Sequence, residues 1–307
     1  MKKSGLFSII YAALAGLVLQ ACFLSADCQT GYRRLPKAQF NTYSSGAFSS
    51  GPSVGAGGPS RLTPSAPGIQ STPGLHITKG ESRTAQNYAD PYNPGEEKLN
   101  MQWVRWPREK MPLLIWISPG LELPKMPFDQ LQETRVEQVY KMFASGYPLD
   151  QLPVAKGWSP DANYAVASGI EKWRVFQQEG LLSFGFTNNP YDAHVVVFFT
   201  DNFQGTTGPG GIIVGANTCA QLFTPEQLVD PRFKQKPVVM EFSMSVNHEP
   251  GRLEGAAAHE FGHALGIKAH SPYREDLMYV DRVVNDLSEG DKATLRLLYR
   301  AKTPYLM

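Results

Sequence analysis

Cysteine is scarce in this 307-residue chain: Cys22, Cys28 and Cys219 are the full set. No Cys-x-x-Cys pair exists, which excludes a thiolate metal knuckle and a redox dithiol, and three thiols cannot build a disulfide framework. Net charge is also lacking. The 29 basic residues stand against 28 acidic ones, so nothing favours nucleic acid or a strongly anionic partner. Internal repeats are absent, and beyond the N-terminus no apolar run is long enough to span a bilayer. Histidine is rare as well, six in all, yet three of the six fall between positions 259 and 270. What the chain does have is a 42% hydrophobic fraction, enough to bury a real core in one large domain or two ordinary ones.

The first residues read as an export signal. Lys2 and Lys3 precede an apolar stretch from Leu6 to Leu19, the charged and apolar regions of a secretory leader. Leu19-Gln20-Ala21-Cys22 resembles the lipobox of bacterial lipoproteins, which implies a signal over residues 1–21 and a lipidated Cys22. Cleavage after Ala26 is the rival reading, with free secretion. A permanent membrane span fits poorly, because the apolar stretch is too short. Residues 22–100 follow, and residues 41–75 are dominated by Ser, Gly, Pro and Thr. Such a segment buries too little to offset its ordering entropy and is expected to be a disordered tether. A latency segment folded over an active site is the alternative.

Ordered sequence is expected from about Trp103, giving one domain over residues 101–307. Strands are predicted at residues 112–117, 184–186, 194–199, 211–216 and 238–246. In the last, Val238, Met240, Phe242, Met244 and Val246 alternate onto one side. Helices are predicted at residues 134–144 and 161–178, the second with Tyr164, Ile170 and Trp173 roughly on one face. A histidine-bearing helix and a closing helix at residues 288–300 complete an α+β domain.

The chemistry is concentrated in His259-Glu260-Phe261-Gly262-His263-Ala264-Leu265-Gly266-Ile267-Lys268-Ala269-His270. On a helix, His259 and His263 lie one turn apart and project the same way, while Glu260 is rotated by about 100°. Ala256-Ala257-Ala258 are good helix formers and small enough to let that helix lie close to a sheet. Gly266 permits a sharp turn at positive φ, and His270 is the residue that turn delivers. Three imidazoles around one zinc ion leave an open position for water, the arrangement of a catalytic site. Glu260 stands where a general base would take that water's proton as it attacks a carbonyl.

The longer run resembles the metzincin zinc peptidases, whose pattern is His-Glu-x-x-His-x-x-Gly-x-x-His followed by a methionine turn. Asp276-Leu277-Met278-Tyr279 stands where that turn is expected, with Met278 beneath the metal ligands. His-Glu-Phe-Gly-His-Ala-Leu-Gly at residues 259–266, and Leu287-Ser288-Glu289-Gly290-Asp291 with Leu295, Leu298 and Tyr299, are most similar to the matrixins. The resemblance implies a twisted, mainly parallel sheet, an active-site helix, a Met-turn and a C-terminal helix. It also implies an exported, monomeric endopeptidase acting on protein or peptide substrates. Three departures stand out. The third histidine falls one residue late, because Ala269 occupies its usual position. The spacing from His270 to Met278 equals the matrixin spacing, so the extra residue is confined to residues 267–269. Val280 replaces the usual proline, which leaves the side-chain pocket near Tyr279 and Val280 undefined. No second ligand set for a structural zinc or calcium is evident.

Other candidates carry less. His194 with Asp192, and His248 beside Glu249, read as ordinary core or edge residues, and Cys219 as a small buried one. The tether lacks the Pro-Arg-Cys-Gly-type switch of matrixin latency segments, although Cys28 could reach the zinc. Opposed to the peptidase reading is a non-proteolytic zinc-binding envelope lipoprotein or surface interaction module.

Overall fold

The computed structural model describes residues 80–204, 214–303 and 305–307. The export signal, Cys22, Cys28, His76 and most of the expected tether lie outside the described residues.

Seven strands and six helices follow one another in the described chain. They are β1 (Val104–Arg105), β2 (Leu113–Glu122), α1 (Phe128–Ala144), α2 (Pro160–Glu171), α3 (Val175–Gln178), β3 (Phe184–Phe186), β4 (Val195–Thr200), β5 (Ala216–Cys219), α4 (Pro225–Val229), β6 (Val238–Ser243), α5 (Pro250–Ala264), α6 (Glu289–Arg300) and β7 (Tyr305–Leu306). Five strands form a mixed sheet in the order β3-β2-β4-β6-β5, parallel except for the antiparallel edge strand β5. A small parallel pair joins β1 to β7.

The Val, Ile and Phe content of β4 and β6 explains their central places. All residues of both strands are buried, as expected of parallel strands covered on both faces. Val195, Val197, Phe199, Met240 and Phe242 point into a core shared with α2, α5 and α6. Val196, Phe198 and Val239 point the other way, into a core with Leu131, Val136 and Val139 of α1. The fold is therefore an α/β arrangement with helices on both faces of a mostly parallel sheet. In that second core, Arg135 of α1 pairs with Glu241 of β6 at 2.7 Å, both side chains buried.

Four expectations need correction. Helix α2 stops at Glu171 and the chain continues through a 3-10 turn, Lys172–Arg174, into α3. Its buried face is Ala162, Ala165, Val166, Gly169 and Ile170, while Tyr164 is 61% exposed on the opposite side. Small residues line that face because α2 lies against α5 at backbone distance: a Cβ on Gly169 would sit 2.2 Å from Glu254 O. Strand β6 ends at Ser243, short of residue 246. The edge strand is Ala216–Cys219, and residues 214 and 215 of the expected 211–216 strand are irregular, while residues 205–213 are outside the described set.

The fourth correction is the boundary of the folded body. Residues 80–100, assigned by composition to the tether, pack on it. Tyr92 is buried and its hydroxyl donates to Asp291 Oδ1 at 2.9 Å. Isolated anchors in an otherwise polar segment leave no periodic signal, so composition could not find them.

Candidate metal centre

Pro250 occupies the first turn of α5, where a missing N–H costs nothing. The helix runs through His259 and His263 and ends in a Schellman motif. Ile267 N–H donates to Gly262 O at 3.1 Å and Gly266 N–H to His263 O at 3.0 Å. Gly266 has φ +113°, and a Cβ there would lie 2.2 Å from Val104 O. Both the backbone angle and the closeness of β1 therefore demand glycine. The chain then turns back and brings His270 under the helix.

The structure brings His259, His263 and His270 together. Their ring centroids lie 4.8, 5.3 and 5.0 Å apart, and one ligand nitrogen from each falls within 4.8 Å of the others. His259 Nδ1 lies 2.8 Å from Leu277 O, and His263 Nδ1 lies 2.6 Å from Ile267 O. A carbonyl only accepts, so each Nδ1 carries the proton and each Nε2 keeps its lone pair. These two Nε2 atoms face each other at 3.1 Å. Two lone pairs held that close are unfavourable without a cation between them. Nitrogens bound tetrahedrally at about 2.0–2.1 Å would stand roughly 3.3 Å apart. The donor set thus fits one metal ion and is compatible with zinc. Burial lowers the His259 pKa to about 3 and holds that of His263 well below the usual imidazole range. Both rings therefore stay neutral, the ligating form.

Glu260 is buried beside them. Desolvation raises its pKa to about 7, against the opposing pull of a Thr218 hydrogen bond. Thr218 Oγ1 lies 2.6 Å from Glu260 Oε2. The alternation of β5 makes this contact possible: Asn217 and Cys219 turn towards α1, and Thr218 turns towards α5. Met278 is fully buried, and a Cβ on Gly262 would lie 2.4 Å from its sulfur, which places the thioether under α5. Asp291 of α6 fixes that turn by accepting Leu277 N–H at 2.8 Å and Met278 N–H at 3.3 Å.

A cleft of about 890 Å³ opens over the site, with His259, Glu260, His270, Val280 and Arg282 among its walls. Val280 is 58% exposed there, whereas Tyr279 is buried with its hydroxyl against Gly80. His194 Nδ1 accepts the Leu114 N–H at 3.0 Å, and His248 is exposed beside Glu249. Among the described residues the three histidines are the only group of three or more such side chains close enough to share an ion.

Sequence reasoning missed Thr218, Arg83, Pro94 and the role of Asp291. Only Asp291 carried a local signal: Ser288-x-x-Asp291 is a capping box, which α6 forms. No helix among the described residues is long and apolar enough to cross a membrane. Compared with described protein families and with curated proteins, the chain matches none.

Proposed function

We propose that this chain is an exported zinc-dependent endopeptidase of the metzincin type, closest in plan to the matrixins. The observation that carries the reading is the convergence of three imidazoles on one point, with the buried Glu260 carboxylate beside them and His259, Glu260 and His270 facing one cleft. His259, His263 and His270 would hold the ion. The chemistry zinc brings when bound is Lewis acidity, towards water and towards a scissile carbonyl.

The remaining work falls to the chain's own groups. Glu260, buried beside the three histidines, is placed to take a proton from the attacking water and return it to the departing amine. Thr218 fixes one carboxylate oxygen, so the base has a defined orientation. Leu277 and Ile267 carbonyls hold the ligand rings in the required tautomer. Val214, Gly215 and Ala216 line the cleft at the terminal strand of the sheet, where an extended substrate backbone adds as a further strand.

A metal carrier has no use for a buried, oriented base, which speaks against the non-proteolytic alternative. Casein zymography with and without chelator, on wild type and Glu260→Gln, tests the proposal. Cleavage should vanish with chelator and in the variant, while the variant keeps its zinc. Undiminished cleavage by Glu260→Gln overturns the mechanism; a wild type that binds zinc but cleaves nothing supports the carrier.

A further inference from the structure

His270 differs from the other two histidines. His259 and His263 are each anchored by their own ring hydrogen bond, whereas among the described residues the His270 ring has none: it packs against its fellow ligands and feels the charge of Asp281. Neither contact fixes the ring's direction as a hydrogen bond does, so its place depends on its neighbours in the chain. Residues 80–102 hold those neighbours on both sides.

On one side, the Pro94 carbonyl accepts the N–H groups of Lys268 at 2.8 Å and Ala269 at 3.1 Å. These residues belong to the enlarged turn, and a single carbonyl satisfies both. On the other side, Glu81 N–H donates to Pro272 O and Arg274 N–H donates back to Glu81 O, each at 3.0 Å. Arg83 then forks onto Asp276, Nε to Oδ1 and Nη2 to Oδ2, both at 2.7 Å. Asp276 is fully buried, and the Arg83 side chain is 3% exposed. The same carboxylate accepts Ser271 Oγ at 2.5 Å and Ser288 Oγ at 2.6 Å. Ser271 directly follows His270. The fork is planar and bidentate, so it fixes orientation as well as distance.

We infer that Arg83, acting through Asp276 and Ser271, and the Pro94 carbonyl, acting through Lys268 and Ala269, are positioning groups for His270. Residues 80–102 are thereby part of the metal centre. The inference rests on the three-histidine site of the proposed function and does not depend on peptide hydrolysis. Removing a contact that orients a metal ligand typically costs ten- to a hundredfold in metal affinity.

The test uses the full chain with Arg83→Ala, His270→Ala and the double variant. Zinc affinity is measured by competition with a chromophoric chelator, and cobalt(II) absorption reports the ligand number. Arg83→Ala should weaken zinc binding about ten- to a hundredfold and shift the cobalt spectrum towards that of His270→Ala. In the His270→Ala background the same change should cost nothing further. Wild-type affinity in a folded Arg83→Ala protein, or equal losses in both backgrounds, overturns the inference. Should circular dichroism show Arg83→Ala unfolded, Gly290→Ala replaces it. A Cβ there would lie 1.7 Å from Arg83 Nη2, displacing the guanidinium without deleting it, and the same two-background comparison decides. A wild type that binds no zinc refutes the site itself.

Discussion

Thr218 Oγ1 lies 2.6 Å from Glu260 Oε2, joining the edge strand of the sheet to the histidine helix across 42 residues of sequence. A hydrogen bond to a charged group contributes about 1.5–3 kcal/mol. Thr218→Val keeps the shape and removes the hydroxyl. It should lower kcat about ten- to a hundredfold, with zinc content and KM nearly unchanged, while Thr218→Ser recovers most of the loss. Steady-state kinetics on a fluorogenic peptide would read this; unchanged kcat in the valine variant would mean that Glu260 needs no such support.

The contact of α2 with α5 sets how the histidine helix sits on the sheet. Gly169→Ala would push a methyl carbon to 2.2 Å from Glu254 O and 2.8 Å from Ala258 N. Backbone atoms cannot swing aside, so the helices must separate. Overpacking of this kind costs about 1–3 kcal/mol. Thermal unfolding should show a clear fall in Tm, and an unchanged Tm would contradict the packing described.

His194 should make the metal-free protein acid-sensitive. Burial, then the charge of Lys110, lowers its pKa below the usual 6.5, and its Nδ1 must stay unprotonated to accept the Leu114 N–H. As pH falls below about 6.5, the unfolded chain takes up a proton that the folded chain still refuses. The contribution is therefore present above that pH and is lost as pH falls through the lower folded value. Urea unfolding at pH 7 and pH 5 should show a smaller drop in His194→Gln than in wild type. Equal drops would assign the acid sensitivity elsewhere.

Cys219 is fully buried, and desolvation, reinforced by Glu241, pushes its thiol up to about 12. The thiolate is the reactive form, so its share at pH 8 falls by about three orders of magnitude relative to an ordinary cysteine. Iodoacetamide labelling followed by peptide mapping should leave Cys219 unmodified in the native protein and alkylate it in urea. Rapid native labelling would show that α1 does not cover β5 as described.

Local periodicity made much of this protein readable. The apolar runs of β4 and β6, the small-residue face of α5 and the spacing of His259 and His263 each express a single element's geometry. Tyr164 shows the limit of that reading. An aromatic residue in a helix is a natural core candidate, yet the buried face belongs to Ala162, Ala165 and Gly169, because a neighbouring helix passes too close for a ring.

Which residues can share a metal was legible in the chain: two imidazoles a turn apart, a glycine that ends their helix, and a third histidine after it. How His270 is held and how the Glu260 carboxylate is oriented came only with packing. Arg83 and Asp276 are 193 residues apart, and Thr218 and Glu260 are 42 apart. Contacts over such separations carry no periodic trace, because they exist only once helices and strands have packed. The turn after Gly266 is the clearest case. In the chain it shows only as a spacing that departs from the metzincin pattern it resembles; in the fold it is a loop whose two N–H groups, of Lys268 and Ala269, are satisfied by one carbonyl of a segment that composition had assigned to the tether.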